Sequence, residues 1–188
     1  NPAVKILDAN WVMDNLELEI VCAQSMDKST KKYISRRNSE SDLEIIPVVY
    51  AEDGDNTMVG RFDHSLLDLY GKSEDELFEI AINNMLKKGP KKLDDEGRHF
   101  SVGPAVYGCV PELMNTFLDK TKSYYVLPIS IYFVKIIEES LMGRKEAREY
   151  MVEKKELLKF LGVLKSNEEL SKKAYIYKDG KLEILQVE

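Results

Sequence analysis

The chain has 188 residues, 44% of them apolar and 32% charged, which fits a globular domain with a buried core and excludes a disordered chain. No segment approaches the ~20 consecutive apolar residues that a membrane helix needs, and the first residues show no secretory signal pattern. The formal net charge of −6 repels phosphate backbones, so we do not expect nucleic acid as a partner unless basic residues collect on one face.

The first 42 residues predict one helix and a polar stretch. Apolar residues including Trp11 predict a helix from about Asp8 to Cys22, although the alternation in residues 16–20 also fits a strand. Residues 27–42 are polar, and we expect a short helix or a loop there.

A strand hairpin follows. Residues 43–50 are rich in β-branched residues and predict a strand. Pro47 cannot donate to a ladder, which indicates an edge position or a bulge. The polar loop 52–56 then leads to a second strand over 57–62, so the two strands are expected to pair.

The clearest helix signal begins at Ser73. Ser73 and Glu76 have the spacing of a capping box. The residues after them form an apolar stripe at helical spacing: Leu77, Phe78, Ala81, Ile82, Met85 and Leu86. Gly89-Pro90 then predicts a solvated loop between two lysine pairs.

The next segment predicts the core of a sheet. Residues 100–110 are expected to form one or two strands, and Pro111 to open a helix. Residues 124–137 are almost all apolar and strand-forming, which predicts two strands that meet at Pro128.

The C-terminal third predicts one long helix and one more hairpin. The helix runs from about Arg144 to Leu161 and ends at Gly162, and Asp179-Gly180 predicts a type I′ turn between two short strands. Hairpins and helices alternate irregularly rather than as βαβ units. We therefore expect a single α+β domain over residues 1–188, with a mixed or antiparallel sheet built from hairpins and helices packed on it.

The chain contains only two histidines, His64 and His99, the usual general bases near neutral pH. One hypothesis assembles them with Asp53 and Asp55 into a hydrolase or transferase site. The simpler interpretation treats Asp63 as the N-cap of a short helix after it and both histidines as structural.

Other chemical motifs are weak. Residues 53–56 resemble the start of a calcium loop but lack its later ligands, so a hairpin turn is the preferred interpretation. Residues 103–108 match no phosphate-binding pattern. Cys22 and Cys109 stand in apolar settings and are interpreted as reduced core residues. The sequence thus predicts no catalytic residues, metal or cofactor.

Four segments carry a family resemblance, in their order and spacing: Ile45–Tyr50, Ser73–Ala81, Tyr125–Ile131 and Glu168–Tyr177. They are similar to an uncharacterised Firmicute family, the domain-of-unknown-function family 5688. Members of that family carry a further N-terminal region, so we expect this chain, which begins without Met, to be the C-terminal part of a longer protein. Many members have a histidine-glutamate pair where this chain has Tyr132-Phe133. The resemblance implies no activity.

These observations favour a non-catalytic, cytoplasmic binding domain whose partner is another protein. The positive signals are the edge strand that Pro47 indicates and five tyrosines on predicted strands, although ordinary sheet packing also explains the tyrosines: Tyr124, Tyr125, Tyr132, Tyr175 and Tyr177. A nucleic-acid module would need a set of basic residues to converge: Lys31, Lys32, Arg36, Arg37, Lys87, Lys88, Lys91 and Lys92.

Overall fold

The computed structural model describes residues 5, 7–26, 32–37 and 40–187, in which five α-helices accompany two antiparallel sheets of three and six strands. This is the α+β class that the sequence predicts. The chain forms two compact units. The first unit comprises Asn1–Glu19, Met26–Arg36 and Glu44–Gly89, and the second comprises Ile20–Ser25, Arg37–Leu43 and Pro90–Glu188. The single domain over 1–188 stays a prediction.

The first unit is built on a three-stranded sheet of order β1-β2-β3. Its elements in chain order are α1 (Ala9–Asn15), β1 (Leu16–Cys22), β2 (Leu43–Asp53), β3 (Asn56–Arg61), α2 (His64–Tyr70) and α3 (Glu74–Lys88). Helix α3 lies against β1, because the Leu18 N–H donates to Met85 Sδ at 3.3 Å and Asn84 Nδ2 donates to the carbonyl oxygens of Met13 and Leu16.

The predicted helix from Asp8 to Cys22 is wrong in its second half. Asp8 accepts hydrogen bonds from the backbone of the first turn of α1 and so caps the helix, but the chain becomes a strand at Leu16. Leu16, Leu18 and Ile20 are buried in alternation. The strand alternative for residues 16–20 is therefore the correct one, because a period of two buries these residues on one face of a sheet.

The edge position predicted from Pro47 is also wrong, because β2 is the central strand. Ile45 pairs with Arg36, and Val48 is the first residue that pairs with β3. Pro47 thus stands where the ladder on one side of β2 passes from one partner to the next. A proline is tolerated there because no ladder bond is lost. The hairpin of β2 and β3 is confirmed.

Two other predictions concern the helix α3 and the polar stretch over residues 27–42. The capping box of α3 is confirmed, since Ser73 Oγ accepts from the Glu76 N–H at 3.2 Å and Glu76 Oε2 accepts from the Ser73 N–H at 2.8 Å. The expected short helix or loop over 27–42 lies partly outside the described residues, which omit 27–31 and 38–39.

The second unit is built on a six-stranded sheet of order β4-β5-β7-β6-β8-β9, antiparallel throughout. Helix α5 packs on one face of this sheet, where Ala147 and Met151 join Tyr125, Leu127 and Ile137 in one apolar cluster. The elements are β4 (Lys91–Asp95), β5 (His99–Gly103), α4 (Pro111–Met114), β6 (Tyr124–Ser130), β7 (Phe133–Glu138), α5 (Arg144–Phe160), β8 (Tyr175–Lys178) and β9 (Lys181–Ile184).

Two strand predictions need correction here. The strand predicted over 100–110 ends at Gly103, and Ala105–Gly108 forms a buried 3-10 turn instead. The strands predicted to meet at Pro128 turn at Ile131-Tyr132. Pro128 lies inside β6, beyond the last residue that pairs with β8 and ahead of a bridge from Ser130 to Glu169.

The local signals of the C-terminal third are confirmed. Helix α5 matches its predicted bounds to within a residue, and Gly162 follows it with a φ of 71°. Asp179 and Gly180 have φ values of 51° and 75°, as a type I′ turn requires.

Candidate functional site

His64 lies on the surface of the first unit, at the start of α2. Its Nδ1 is 3.5 Å from Glu74 Oε1, and its side chain is largely exposed. Asp63 caps the helix, since its Oδ1 accepts from the backbone N–H groups of Ser65 and Leu66 and from the Ser65 hydroxyl. The capping interpretation of Asp63 is therefore confirmed.

His99 is in the second unit, on β5 below α5. Its Nδ1 is 3.5 Å from Glu96 Oε2, and its ring meets the edge of the Tyr150 ring at 5.6 Å between centroids. Its Nε2 is enclosed and has no hydrogen-bond partner among the described residues. Burial lowers the pKa of His99, and the positive charge of Lys135 lowers it further. This environment thus favours the neutral form of the imidazole.

A carboxylate beside His99 organises the neighbouring strands. Asp94 accepts from the Ser101 N–H, from the Ser101 hydroxyl at 3.0 Å and from the buried Lys135 ammonium at 3.0 Å. Burial works to raise the pKa of Asp94, but the bonds from Lys135 and Ser101 lower it overall. Because Ser101 is buried and its hydroxyl donates a hydrogen bond to Asp94, this hydroxyl is not presented to a substrate. The arrangement fixes the bulge between β4 and β5.

The remaining candidate residues from the sequence are the two aspartates of the hairpin turn and the two cysteines. Asp53 and Asp55 flank an exposed turn in which Gly54 has a φ of 62°, which confirms the hairpin turn. Cys22 and Cys109 are free thiols, and burial raises the pKa of Cys109. Within the described ranges no three or more histidine, cysteine, aspartate or glutamate side chains are grouped so that they could hold a metal ion.

Several of the basic residues that a nucleic-acid module would need are bound to carboxylates within their own unit. Arg36 is paired with Asp75, Lys88 with Glu17, and Lys92 with Asp95. Lys31 lies outside the described residues.

Four of the five tyrosines predicted on strands are buried: Tyr124, Tyr125, Tyr175 and Tyr177. The fifth, Tyr132, is exposed, and its hydroxyl donates to Glu168 Oε1 at 3.1 Å. Ordinary sheet packing therefore accounts for the tyrosines, and the idea that they form a contact surface is wrong.

Sequence reasoning missed a buried polar cluster around Asp42. Asp42 Oδ1 accepts from the hydroxyls of Ser171 and Tyr175, each at 2.6 Å. The buried Lys155 ammonium donates to the Ser171 carbonyl oxygen and lies 3.4 Å from Glu169 Oε1. Burial lowers the pKa of Lys155. No local pattern signals this cluster, because Asp42 closes a polar stretch and Lys155 belongs to a charged helix.

The most exposed apolar side chains of the second unit lie at the end of α5. Phe160 is 87% exposed, and Leu157, Leu161 and Val163 are more than half exposed beside it. Residues 157, 160 and 161 have i, i+3 and i+4 spacing, so they share one side of the helix. We call these four residues the α5 apolar surface.

An acidic stripe runs from this surface along the helix. Glu149, Glu153 and Glu156 are exposed and lie on the same solvent side as Phe160 at helical spacing. Beside them is an open groove of about 600 Å³ that is also lined by Lys145, Arg148, Val152 and Val187. Lys145 Nζ is 3.8 Å from Glu149 Oε1. The solvent side of α5 thus combines apolar side chains with charges of both signs, and the acidic residues Glu153 and Glu156 lie nearest to Phe160 on its side of the helix.

No helix among the described residues has the length and apolar character required to cross a membrane. Comparison of the chain with known protein families, with characterised proteins and with solved structures finds no significant match.

Proposed function

We propose that this chain is a non-catalytic protein-interaction domain that binds its partner through the α5 apolar surface. The observation that carries the proposal is the exposure of Phe160, 87%, together with exposed Leu157 and Leu161, whose spacing puts them on the same side of the helix. Single exposed apolar side chains are ordinary on protein surfaces, but a contiguous group of them is typical of an interaction site. Aromatic residues at the centre of such a group also contribute most to binding.

The charge beside the surface indicates the chemistry of the partner. Glu156 and Glu153 stand one and two turns before Phe160 on the same side of α5, Glu149 is paired with Lys145, and the chain has a net charge of −6. We infer a partner segment that combines apolar residues with lysine or arginine, as an amphipathic basic helix does. Complementary charge of this kind speeds association and orients the partner, while the apolar contact supplies the affinity.

The test uses two designed helical peptides of equal length, one of leucine and lysine and one of leucine and glutamate. Binding to the isotope-labelled protein is followed by amide chemical shifts. We expect the lysine peptide to bind at residues 149–163 and the glutamate peptide to bind far more weakly. Phe160→Ala is expected to weaken binding by about 30-fold, the effect of losing a 2 kcal/mol contact.

Leu69→Ala is the matched control, because Leu69 is an exposed leucine of the first unit. It should leave the affinity unchanged. The proposal fails if Phe160→Ala binds the lysine peptide as tightly as the wild type, or if the shifts appear away from residues 149–163.

We further propose that the protein is bacterial, that it belongs to the Firmicute family 5688, and that it acts in the cytoplasm. The free thiols of Cys22 and Cys109 support the compartment, and the four segments that resemble the family support the origin. The hydrolase or transferase built on His64 and His99 stays a prediction.

A further inference from the structure

His99 lies between the six-stranded sheet and the helix that packs on it. It is directly opposite Ile137 of β7, and Ile137 belongs to the apolar cluster that α5 covers. Because directly opposite residues of paired strands point to the same face of a sheet, His99 is on the α5 face. Its ring meets the edge of the Tyr150 ring of α5. Burial raises the pKa of Tyr150, so this phenol is an uncharged neighbour. His99 therefore links the β4–β5 hairpin to α5.

The two nitrogens of the His99 ring have different surroundings. Nδ1 is 3.5 Å from the carboxylate of Glu96, a largely exposed side chain, which favours a proton on this nitrogen. Nε2 is enclosed, and no described residue offers it a hydrogen-bond partner. In the neutral ring Nε2 is an unpaired acceptor, but protonation of the ring places an N–H there. A buried donor on a charged ring costs more without a partner than a neutral nitrogen does.

The charged groups around His99 are balanced while the ring is neutral. Two carboxylates and two ammonium groups act on the ring, one from each neighbouring element: Asp94 of β4, Glu96 of the hairpin turn, Lys135 of β7 and Lys154 of α5. Asp94 and the buried Lys135 neutralise each other through a 3.0 Å ion pair. Protonation of His99 therefore adds an unbalanced positive charge beside a buried ammonium group, where water does little to screen it.

The His99 ring has a short route to solvent. Its side chain is already 21% exposed, and all the residues before it in the hairpin, 91–98, are exposed. Helix α5, in contrast, is fixed to the sheet by the buried side chains of Ala147 and Met151. A segment with few buried side chains rearranges at a lower free-energy cost than a packed helix. A change at His99 is thus expected to move the ring and the hairpin rather than α5.

We propose that His99 is an acid-operated latch between the β4–β5 hairpin and α5. The neutral ring stays beneath Tyr150 and keeps the latch closed. When the ring takes up a proton from solvent, it leaves this site, its new N–H is hydrated, and the contact with Tyr150 is broken. The step is reversible, and the sheet and α5 stay folded. It involves no partner, so it is independent of the function proposed for the α5 apolar surface.

Nuclear magnetic resonance of the whole chain, with isotope-labelled histidine and tyrosine rings, tests the latch between pH 7.5 and pH 4.5. We expect a nuclear Overhauser effect between the His99 and Tyr150 rings at pH 7.5. It should disappear in the same step in which the His99 ring titrates and return when the pH is raised. The amide shifts of residues 125–127 in the sheet core should stay unchanged. An effect that survives protonation of His99 overturns the proposal, as does unfolding of the whole protein before His99 is protonated.

Three variants separate the latch from a purely structural role of His99. His99→Phe keeps an aromatic ring beside Tyr150 but takes up no proton, so its contact should persist at acid pH. Lys154→Gln removes a charge that lowers the pKa of His99 and should move the step to higher pH. Glu96→Gln removes a charge that raises this pKa and should move the step to lower pH. Loss of the contact in His99→Phe at the same pH overturns the proposal, and so do charge variants that leave the step in place or shift it in one direction.

Discussion

Asp42→Ala should be among the most destabilising substitutions of a polar residue in this protein. Asp42 is 7% exposed, and its Oδ1 accepts two short bonds from the hydroxyls of Ser171 and Tyr175. Hydrogen bonds to a buried charged acceptor contribute about 1.5–3 kcal/mol each. Removal of the carboxylate loses both bonds and leaves two buried hydroxyls without this partner, so we expect the free energy of unfolding to fall by about 3–5 kcal/mol.

Urea denaturation followed by circular dichroism measures this change. The two single variants Tyr175→Phe and Ser171→Ala each remove one bond and should each lower the free energy of unfolding by about 1–2 kcal/mol. The double variant Asp42→Ala/Tyr175→Phe should lose less than the sum of its singles, because each single variant already removes the one bond between Asp42 and Tyr175. A coupling of this sign isolates the Asp42–Tyr175 bond from general effects of the substitution.

The reasoning is refuted if Asp42→Ala lowers the free energy of unfolding by less than about 1 kcal/mol, the scale of an ordinary surface change. It is also refuted if Asp42→Ala and Tyr175→Phe are strictly additive. Tyr175 supplies an independent readout, because burial and the bond to Asp42 raise its pKa to about 12. In Asp42→Ala the pKa of this tyrosine should fall, which ultraviolet titration detects below the unfolding pH.

Three further outcomes follow from local geometry. Ser73→Ala removes half of a capping box and should lower the free energy of unfolding by about 1 kcal/mol in urea melts. Gly108→Ala places a Cβ 2.0 Å from a valine methyl carbon of β7 and should lower it by about 1–3 kcal/mol, whereas Gly143→Ala, with open space around it, should cost less than about 1 kcal/mol. The folded pKa of His99 is lowered, so its contribution to stability is present above the unfolded pKa of about 6.5 and is lost as the pH falls below it. His99→Gln should therefore reduce the drop in urea midpoint between pH 7.5 and 5.5.

The features that the sequence predicts correctly are those that neighbouring residues determine. The capping box at Ser73 and the turn at Asp179-Gly180 depend on backbone groups within four residues, so their residue types identify them directly. The long helix over 144–160 is likewise predicted from residues within it, namely its apolar residues at helical spacing and the glycine that ends it. The sequence does not predict its exposed end at Phe160, because only the fold decides which side of a charged helix stays in solvent.

The two prolines show why strand order escapes a single sequence. Pro47 and Pro128 both lie in strands with neighbours on two sides, where a proline in a regular ladder would leave a bond unmade. Each stands where the strand on one side changes partner, between a short bridge and a longer pairing. The sequence shows that each proline lacks a backbone N–H, but the strand whose carbonyl oxygen would accept from that N–H lies far away along the chain.

The burial of Lys155 also depends on residues that are distant in the sequence. Lys155 sits in a helix in which most exposed residues are charged, and nothing within a turn distinguishes it from Lys154 or Lys159. It is buried because α5 turns that position toward Glu169 and the Ser171 carbonyl, which lie more than ten residues away. Burial of an ammonium group is stable only when such partners are already in place. The position of Lys155 is therefore a consequence of the packing of α5. A Lys155→Met variant in which α5 stays docked would show that apolar contacts alone hold this helix on the sheet.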